Sequence, residues 1–481
     1  MDENERVILL VVGEWVLRLG TVALVLLRPN ARSASSLTWI VVILALPLFG
    51  PLLFLAFGFT RLPRSRIRRY RELVARIEKP ELKAAHAVAV QAGRLSHDDR
   101  NLALLAESFG ASPAVGGNAI ELMGDTEVVI ARMAADIDAA REHCHLLFYI
   151  YLDDDSGTRV AESLLAAAAR GVTCRLLVDA IGSRPFLRSP LCRRLRAGGV
   201  RVAAALPVNP VRALFSRIDL RNHRKIMVVD REIGYTGSQN IANADFAPKA
   251  RYAPWVDAMV RITGPAVHDL QTLFVEDWFL DTHESLDVLL GHLPAPHADG
   301  VAVQVFAAGP TRPADMMRTL VQAAMQMARH ELVLTTPYFV PDEALVSTLA
   351  TGARCGTKVT LIVPERNDSR LVALASRSYY GTLLEAGVRI LEFRGGLLHA
   401  KTLTIDGHVA MMTSANIDRR SLDINFEAGI VVYDGDFARQ LRTLQARYMA
   451  SSHAVDARAW KHRPVLARLS ENGAALLAPL L

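Results

Sequence analysis

Two short stretches of the chain carry the same reactive residues at the same spacing. In HRKIMVVD, Lys225 and Asp230 follow His223; in HAKTLTID, Lys401 and Asp406 follow His399 at matching distances (225 − 223 = 401 − 399 = 2; 230 − 223 = 406 − 399 = 7). The register persists downstream. Asn240 of GSQN and Asn416 of TSAN each stand seventeen residues past their histidine (240 − 223 = 416 − 399 = 17). One such match arises by chance, whereas two in register within one chain indicate a duplicated half-site.

The residue types define the chemistry. Alternate side chains of a strand share a face, so each histidine and its lysine point the same way. Two imidazoles and two ammonium groups make an anion site. Neutral imidazole is a nucleophile toward phosphorus, and a protonated one can give its proton to a leaving oxygen. The lysines and the amides of Asn240 and Asn416 are suited to hold phosphoryl oxygens as charge develops. This chemistry requires no metal and no other cofactor. His143-Cys144-His145 has ligand-type residues, but it opens a strand-like run. Cys144, Cys174, Cys192 and Cys355 show no metal-ligand spacing, and a reducing cytoplasm disfavours a disulfide framework.

These residues resemble the HxKxxxxD signature of the phospholipase D superfamily, and longer stretches resemble the bacterial cardiolipin synthases. LRNHRKIMVVD, TGSQNIAN and WVDAMVRITGPAV are similar to that family's first half; TTPYFVPDEAL, RSYYGTLLEAGVRI, LLHAKTLTID and TSANIDRRSLDINFE are similar to its second. RPNARSASSLTWIVVILALPLFGPLLFLAFG resembles its amino-terminal membrane segment. The likeness covers most of the chain and is weakest between residues 65 and 115.

The resemblance implies an α/β fold of two pseudo-symmetric halves sharing one active site. It makes His223 the nucleophile and His399 the general acid and then base. Asp257 and Glu427 match the acidic positions that stand behind each histidine, where a carboxylate on one ring nitrogen fixes the tautomer and supports the imidazolium. Ser238 and Ser414 match positions near the phosphate, with turn stabilisation the competing reading. Asp230 and Asp406 close their strands just before turns, so tethering of a loop competes with contact to substrate. Thr413 stands where a glycine often precedes the SxN element, and the acidic positions differ in offset (257 − 223 = 34; 427 − 399 = 28). The halves are therefore not interchangeable.

Composition agrees with a lipid-facing enzyme. The 481 residues are 51% hydrophobic with a formal net charge of +6, a balance that suits anionic membrane surfaces and nucleic acids alike. Leu37–Phe59 carries no charge over 23 residues (59 − 37 + 1), enough to cross a hydrocarbon core of about 30 Å. Val7–Leu27 carries Glu14 and Arg18 at i,i+4, where they can pair on one face; it is read as the first arm of a transmembrane hairpin, with an interfacial helix as the alternative. The start MDENER is acidic, unlike a cleaved signal peptide. Arg61, Arg64, Arg66, Arg68, Arg69 and Arg71 crowd the exit of the second segment, against Arg28 and Arg32 between the two. The positive-inside rule then puts the body in the cytoplasm of a bacterial inner membrane. The same arginines are also suited to anionic headgroups.

The rest reads as alternating strands and helices, twice over. Strands are expected at HLLFYIYL, VTCRLLVD and VRVAAAL, then at ELVLTTPYF, TKVTLIVP and RILEF, with helices between them. The expected organisation is a membrane segment over 1–60, a basic connecting region over 61–115, and α/β domains over 116–290 and 300–481. GHLPAPH at 291–297 marks the junction. PVNPVRALF, before the first motif, is either a bilayer-dipping loop or a core loop.

The function expected is transfer of a phosphatidyl group between two phosphatidylglycerols, with release of glycerol. Hydrolysis to phosphatidic acid is the alternative within the same chemistry. Nucleic acid is disfavoured as a partner, because interleaved aromatic and basic residues are lacking near the motifs. A silent lipid-binding scaffold would have no need of a nucleophile and an acid.

Overall fold

The computed structural model describes residues 3–28, 33–58, 62–77, 95–207, 220–313 and 315–476. PVNPVRALF falls almost wholly outside them, as do Arg32 and Arg61. The described residues divide into two compact units, one of those up to Ile67 together with Leu220, the other of Arg68–Pro207 and those from Arg221 onward.

In the first unit Glu3–Leu26 is one uninterrupted helix of 24 residues. At 1.5 Å per residue it is about 36 Å long, sufficient to cross a bilayer core. Arg18 Nε donates to Glu14 Oε1 at 3.1 Å, the expected i,i+4 pair, and Nη1 donates to the carbonyl of Leu44 at 2.8 Å. The second segment departs from expectation. Leu37–Phe59 is not one span: helices Ser33–Ala45 and Phe49–Phe57 are separated by a turn at Leu46–Leu48, and Phe59 lies outside the described residues. Pro47 lacks an N–H and stops the first helix, while Pro51 sits in the first turn of the second, where no partner is needed. Gly50 permits the fold-back, since a Cβ there would stand 2.5 Å from the Val42 carbonyl oxygen. A long uncharged run therefore gives two short helices, and the charge-bearing segment gives the continuous one.

In the second unit one sheet of fifteen strands carries everything else. Its first-half strands are β1 (Val115–Met123), β2 (His143–Phe148), β3 (Thr173–Asp179), β4 (Arg201–Ala205), β5 (Ile226–Val229), β6 (Ile233–Gly237) and β8 (Met259–Thr263). Its second-half strands are β9 (Val301–Ala308), β10 (Glu331–Thr335), β12 (Lys358–Pro364), β13 (Arg389–Phe393), β15 (Thr402–Ile405), β16 (Val409–Thr413), β18 (Glu427–Tyr433) and β19 (Ser452–Ala454). The two-residue strands β7 (Trp255–Val256), β11 (Phe339–Val340), β14 (Leu397–Leu398) and β17 (Ile417–Asp418) stand outside it.

From the centre outward the first half runs β1-β8-β6-β5-β2-β3-β4, and the second β9-β18-β16-β15-β10-β12-β13 with β19 added at the edge. The two orders match position for position. β1 and β9 pair antiparallel through Val115–Val303 and Asn118–Val301, with a shift of register between them, so the halves join across a pseudo-twofold axis within one sheet. The strands are short apolar runs buried on both faces: β2 is buried throughout, and β3 and β12 in all but their first residue. Such runs require helices on both sides of the sheet. All six expected strands are present, each displaced by a few residues at most; β1 and β9, which join the halves, were not read from the sequence.

Asp230 and Asp406 are turn residues in the left-handed region (φ 52° and 49°) at the ends of β5 and β15. Asp230 accepts the backbone N–H groups of Arg141, Glu142 and His143 at 2.8–2.9 Å, and Asp406 those of Arg329, His330 and Glu331 at 2.7–2.8 Å. Each carboxylate ties its hairpin to the start of the neighbouring strand, β2 or β10. The geometry fits the loop-tethering alternative to substrate contact, in which both aspartates act as clamps. Asp230→Ala or Asp406→Ala strands three donors at a strand entrance and should cost about 2–4 kcal/mol, from roughly 1–3 kcal/mol per unsatisfied group discounted for partial exposure. Thermal unfolding of the detergent-solubilised protein measures this, and an unchanged midpoint for both variants would refute the clamp.

Candidate active site

β5 and β15 each begin just after a motif lysine, so the segments His223–Lys225 and His399–Lys401 enter the sheet from the same kind of place in both halves. Lys225 Nζ donates to the His223 carbonyl and Lys401 Nζ to the His399 carbonyl, each at 2.6 Å. The lysines fold back beside their histidines, as alternation along the strand predicts.

Each histidine is then held by the opposite half. The backbone N–H of His223 donates to the Phe426 carbonyl at 2.8 Å, and that of His399 to the Val256 carbonyl at 2.7 Å. Asn222 bridges to Phe426, and Leu398 of β14 pairs with Val256 of β7. The next residues along are Glu427 and Asp257. His223 Nδ1 stands 3.1 Å from Glu427 Oε1, and His399 Nδ1 stands 2.7 Å from Asp257 Oδ1. Sequence offsets counted within each half could not show this exchange, because the acid of each half serves the other half's histidine.

The serines stand behind the acids. Ser238 Oγ donates to Asp257 Oδ1 at 2.6 Å and Ser414 Oγ to Glu427 Oε2 at 2.5 Å. Each hydroxyl also accepts a backbone N–H, from Ala258 or Ala428, at 3.0 Å. The geometry makes them positioning residues for the carboxylates rather than turn formers alone. Asn240 Oδ1 accepts from the Ile150 N–H at 3.0 Å, which leaves its NH₂ as the available donor group. Asn416 is buried, with Oδ1 unpartnered among the described residues.

Burial sets the electrostatics. It pushes Lys225 down to about 8 against the pull of Glu427 and Asp257, and Lys401 down to about 7, with Lys225 adding to the depression. Burial and the Lys401 charge push His399 to about 4, although Asp257 opposes them. Asp257 is itself buried, yet His399, Lys401 and Ser238 hold it at about 2. Glu427, buried too, is held below the ordinary glutamate value by His223, Lys225 and Ser414. Lys225 acts on His399 and on Lys401, and both carboxylates act on both lysines. The two motifs therefore form one electrostatic site.

Several of its residues were not singled out in the sequence. Tyr149, at the end of β2, lies with its ring 4.1 Å from the His223 ring and 5.5 Å from Lys225 Nζ. Trp255 packs on His399 at 4.7 Å, while the Asn425 amide lies 3.3 Å from His223 Nδ1. Trp255 and Asn425 each precede their carboxylate by two residues (257 − 255 = 427 − 425 = 2), a signal the chain did contain. Arg224 is 1% exposed and donates to Asp277 Oδ2 at 2.8 Å and to the Glu427 carbonyl at 3.2 Å; its counterpart is Ala400. His143 and His145, by contrast, stack on each other at 4.2 Å at the clamp end of β2, and Gln271 and Arg175 bond His145.

Two half-sites of this kind, exchanged across a pseudo-twofold axis in an α/β sheet, define a phospholipase D-like enzyme. The family described as "Cardiolipin synthase, PLD-like domain" matches residues 133–278 and 321–448, and "Phospholipase_D-nuclease N-terminal" matches 19–58. The chain belongs to the phospholipase D-like cardiolipin synthases. It is 36% identical to cardiolipin synthase A of Citrobacter koseri and of Salmonella arizonae, over 98% of this chain and 98% of each relative. The crystal structure of a phosphatidylserine synthase from Haemophilus influenzae shares the fold, with a TM-score of 0.60 at 15% identity over 80% of this chain and 100% of that one. Family membership and the amino-terminal apolar helix associate the protein with membranes and with phospholipid substrates.

The lysines set a pH dependence. As pH rises through 7 to 8, Lys401 and Lys225 lose protons and the site loses positive charge, so kcat/KM should fall on the alkaline side. Lys401→Arg, which stays protonated, should move that limb to higher pH. A profile flat through that range in the parent protein would show that both ammonium groups remain charged.

Proposed function

We propose that this protein makes cardiolipin by two in-line displacements on phosphatidylglycerol. His399 Nδ1 engages Asp257 and His223 Nδ1 faces Glu427, so both Nε2 atoms remain for one phosphorus. His223 Nε2 attacks the phosphodiester; the P–O bond to glycerol breaks, and the glycerol oxygen takes a proton from His399. A phosphatidyl-histidine remains. The terminal hydroxyl of a second phosphatidylglycerol gives its proton to His399 and attacks phosphorus, breaking the P–N bond and freeing His223. Two phosphatidylglycerols thus become one cardiolipin and one glycerol. One phosphodiester replaces another, so no nucleotide is consumed.

The exchanged carboxylate–imidazole pairs carry this reading. They set a carboxylate against one nitrogen of each ring, an arrangement that suits nucleophilic and acid–base catalysis. His399 serves as an acid only once the charge of the bound phosphodiester offsets the burial and the Lys401 charge that depress it. Lys225, Lys401 and the amides of Asn240 and Asn416 neutralise the equatorial oxygens. Hydrolysis to phosphatidic acid uses the same first step, and the acceptor alone separates the two outcomes.

Labelled phosphatidylglycerol, incubated with the purified protein and no nucleotide, should yield cardiolipin and free glycerol. Phosphatidic acid as the main product would replace this reading by hydrolysis. His223→Ala and His399→Ala should each lower the rate by at least about 10²–10⁴. Label trapped by acid quench should sit on His223; label on His399 would reverse the two roles.

The body is read as cytoplasmic and the amino-terminal unit as multi-pass, from the arginines that follow the second apolar segment. Cys355 is exposed and Cys144, Cys174 and Cys192 are buried. A membrane-impermeant maleimide should therefore label Cys355 only after the inner membrane is opened, and labelling in intact spheroplasts would invert the topology.

A further inference from the structure

The carboxy-terminal helix Val465–Leu476 packs a narrow face on the helix Arg370–Ser378. Ala474 joins Val340 and Ala375 in a small apolar cluster, and Glu471, 3% exposed, accepts from Arg463 Nε at 2.9 Å. The opposite face is apolar and open to solvent. Val465, Leu466, Leu469 and Leu476 are 68%, 78%, 64% and 76% exposed. Separations of three, four and seven residues put them on one side of the helix. A water-facing helix ordinarily carries polar residues there, and a contiguous apolar face marks an interaction surface.

The surrounding charge says which kind. From Ala457 to Ser470 there is no acidic residue, and Arg458, Lys461, His462 and Arg468 are exposed. An apolar stripe edged by bases complements the boundary of an anionic bilayer, with leucines toward the acyl chains and bases at the phosphates. The sequence continues Leu477-Ala478-Pro479-Leu480-Leu481, equally apolar. The supporting helix Arg370–Ser378 follows the loop Glu365–Ser369 at the end of β12. In that loop Asp368 accepts from Tyr338 Oη at 2.6 Å. Val340 belongs to β11, which pairs with β17 directly after Asn416.

We infer that the helix Val465–Leu476 lies in the headgroup–acyl boundary of an anionic bilayer and seats the loops of the second half-site on the membrane. The inference rests on the proposed use of bilayer lipid as substrate, but its principal test reads position and not turnover. The full chain carrying Cys355→Ser and Leu469→Cys is labelled with a nitroxide and reconstituted in phosphatidylglycerol–phosphatidylethanolamine vesicles. The label should collide with oxygen and be shielded from a water-soluble nickel chelate, whereas a nitroxide on Cys355 of the parent chain should show the reverse. Free access of the chelate to position 469 would overturn the inference. So would shielding from both reagents that is lost on diluting the protein in lipid, which would mean that a second copy covers the face.

As an independent check, Leu466→Asp with Leu469→Asp should lower turnover of bilayer phosphatidylglycerol about tenfold and leave turnover of monomeric short-chain phosphatidylglycerol unchanged. Equal rates on bilayer lipid would remove the seating role. A parent protein making no cardiolipin would refute the proposed function and leave the collision result standing.

Discussion

The structure depends on an exchange of backbone hydrogen bonds: each motif histidine is bonded, through its N–H, to the carbonyl just before the other half's carboxylate. His223 takes Phe426 and His399 takes Val256. A main-chain bond of this kind sets the ring position before any side-chain chemistry begins. It also means that neither half contains a working histidine–acid pair, and that the β1–β9 junction must close before the site exists. The reaction centre is a property of the interface between halves, which one sheet spans through β1 and β9.

Below about pH 7, where both lysines hold their protons, the Lys225 and Lys401 ammonium groups balance the Asp257 and Glu427 carboxylates. That balance is what a buried site requires, since unpaired charges in low dielectric are costly. A bound phosphodiester adds one negative charge and favours uptake of one proton. In the proposed mechanism substrate thereby creates its own general acid, and the strongly depressed His399 is the group with most to gain.

The pseudo-symmetry is broken around the two histidines. Trp255 against His399 and Asn425 beside His223 occupy equivalent places, one apolar and one polar. Arg224 adds a buried ion pair to Asp277 in the first half, where the equivalent position in the second half is the uncharged Ala400. These differences give the rings unlike surroundings, which fits the two different roles proposed for them. The aspartates are a separate matter. Seven residues from the histidine is the far end of a four-residue strand and its turn, so Asp230 and Asp406 serve the hairpins, and each motif joins a chemical piece to a structural one.

Much of this was legible in the chain. Alternation put each lysine with its histidine, short apolar runs announced a sheet buried on both faces, and the repeated spacing announced two matching half-sites. Those features are local or periodic, so the order of residues suffices to determine them. Tertiary structure decided which acid meets which histidine, because both pairs join residues of opposite halves and no spacing within one half encodes a contact across the axis. It also decided that the uninterrupted long helix is the one holding Glu14 and Arg18, because their pairing within one turn removes the charge penalty, whereas Pro47 breaks a run that hydropathy alone reads as continuous.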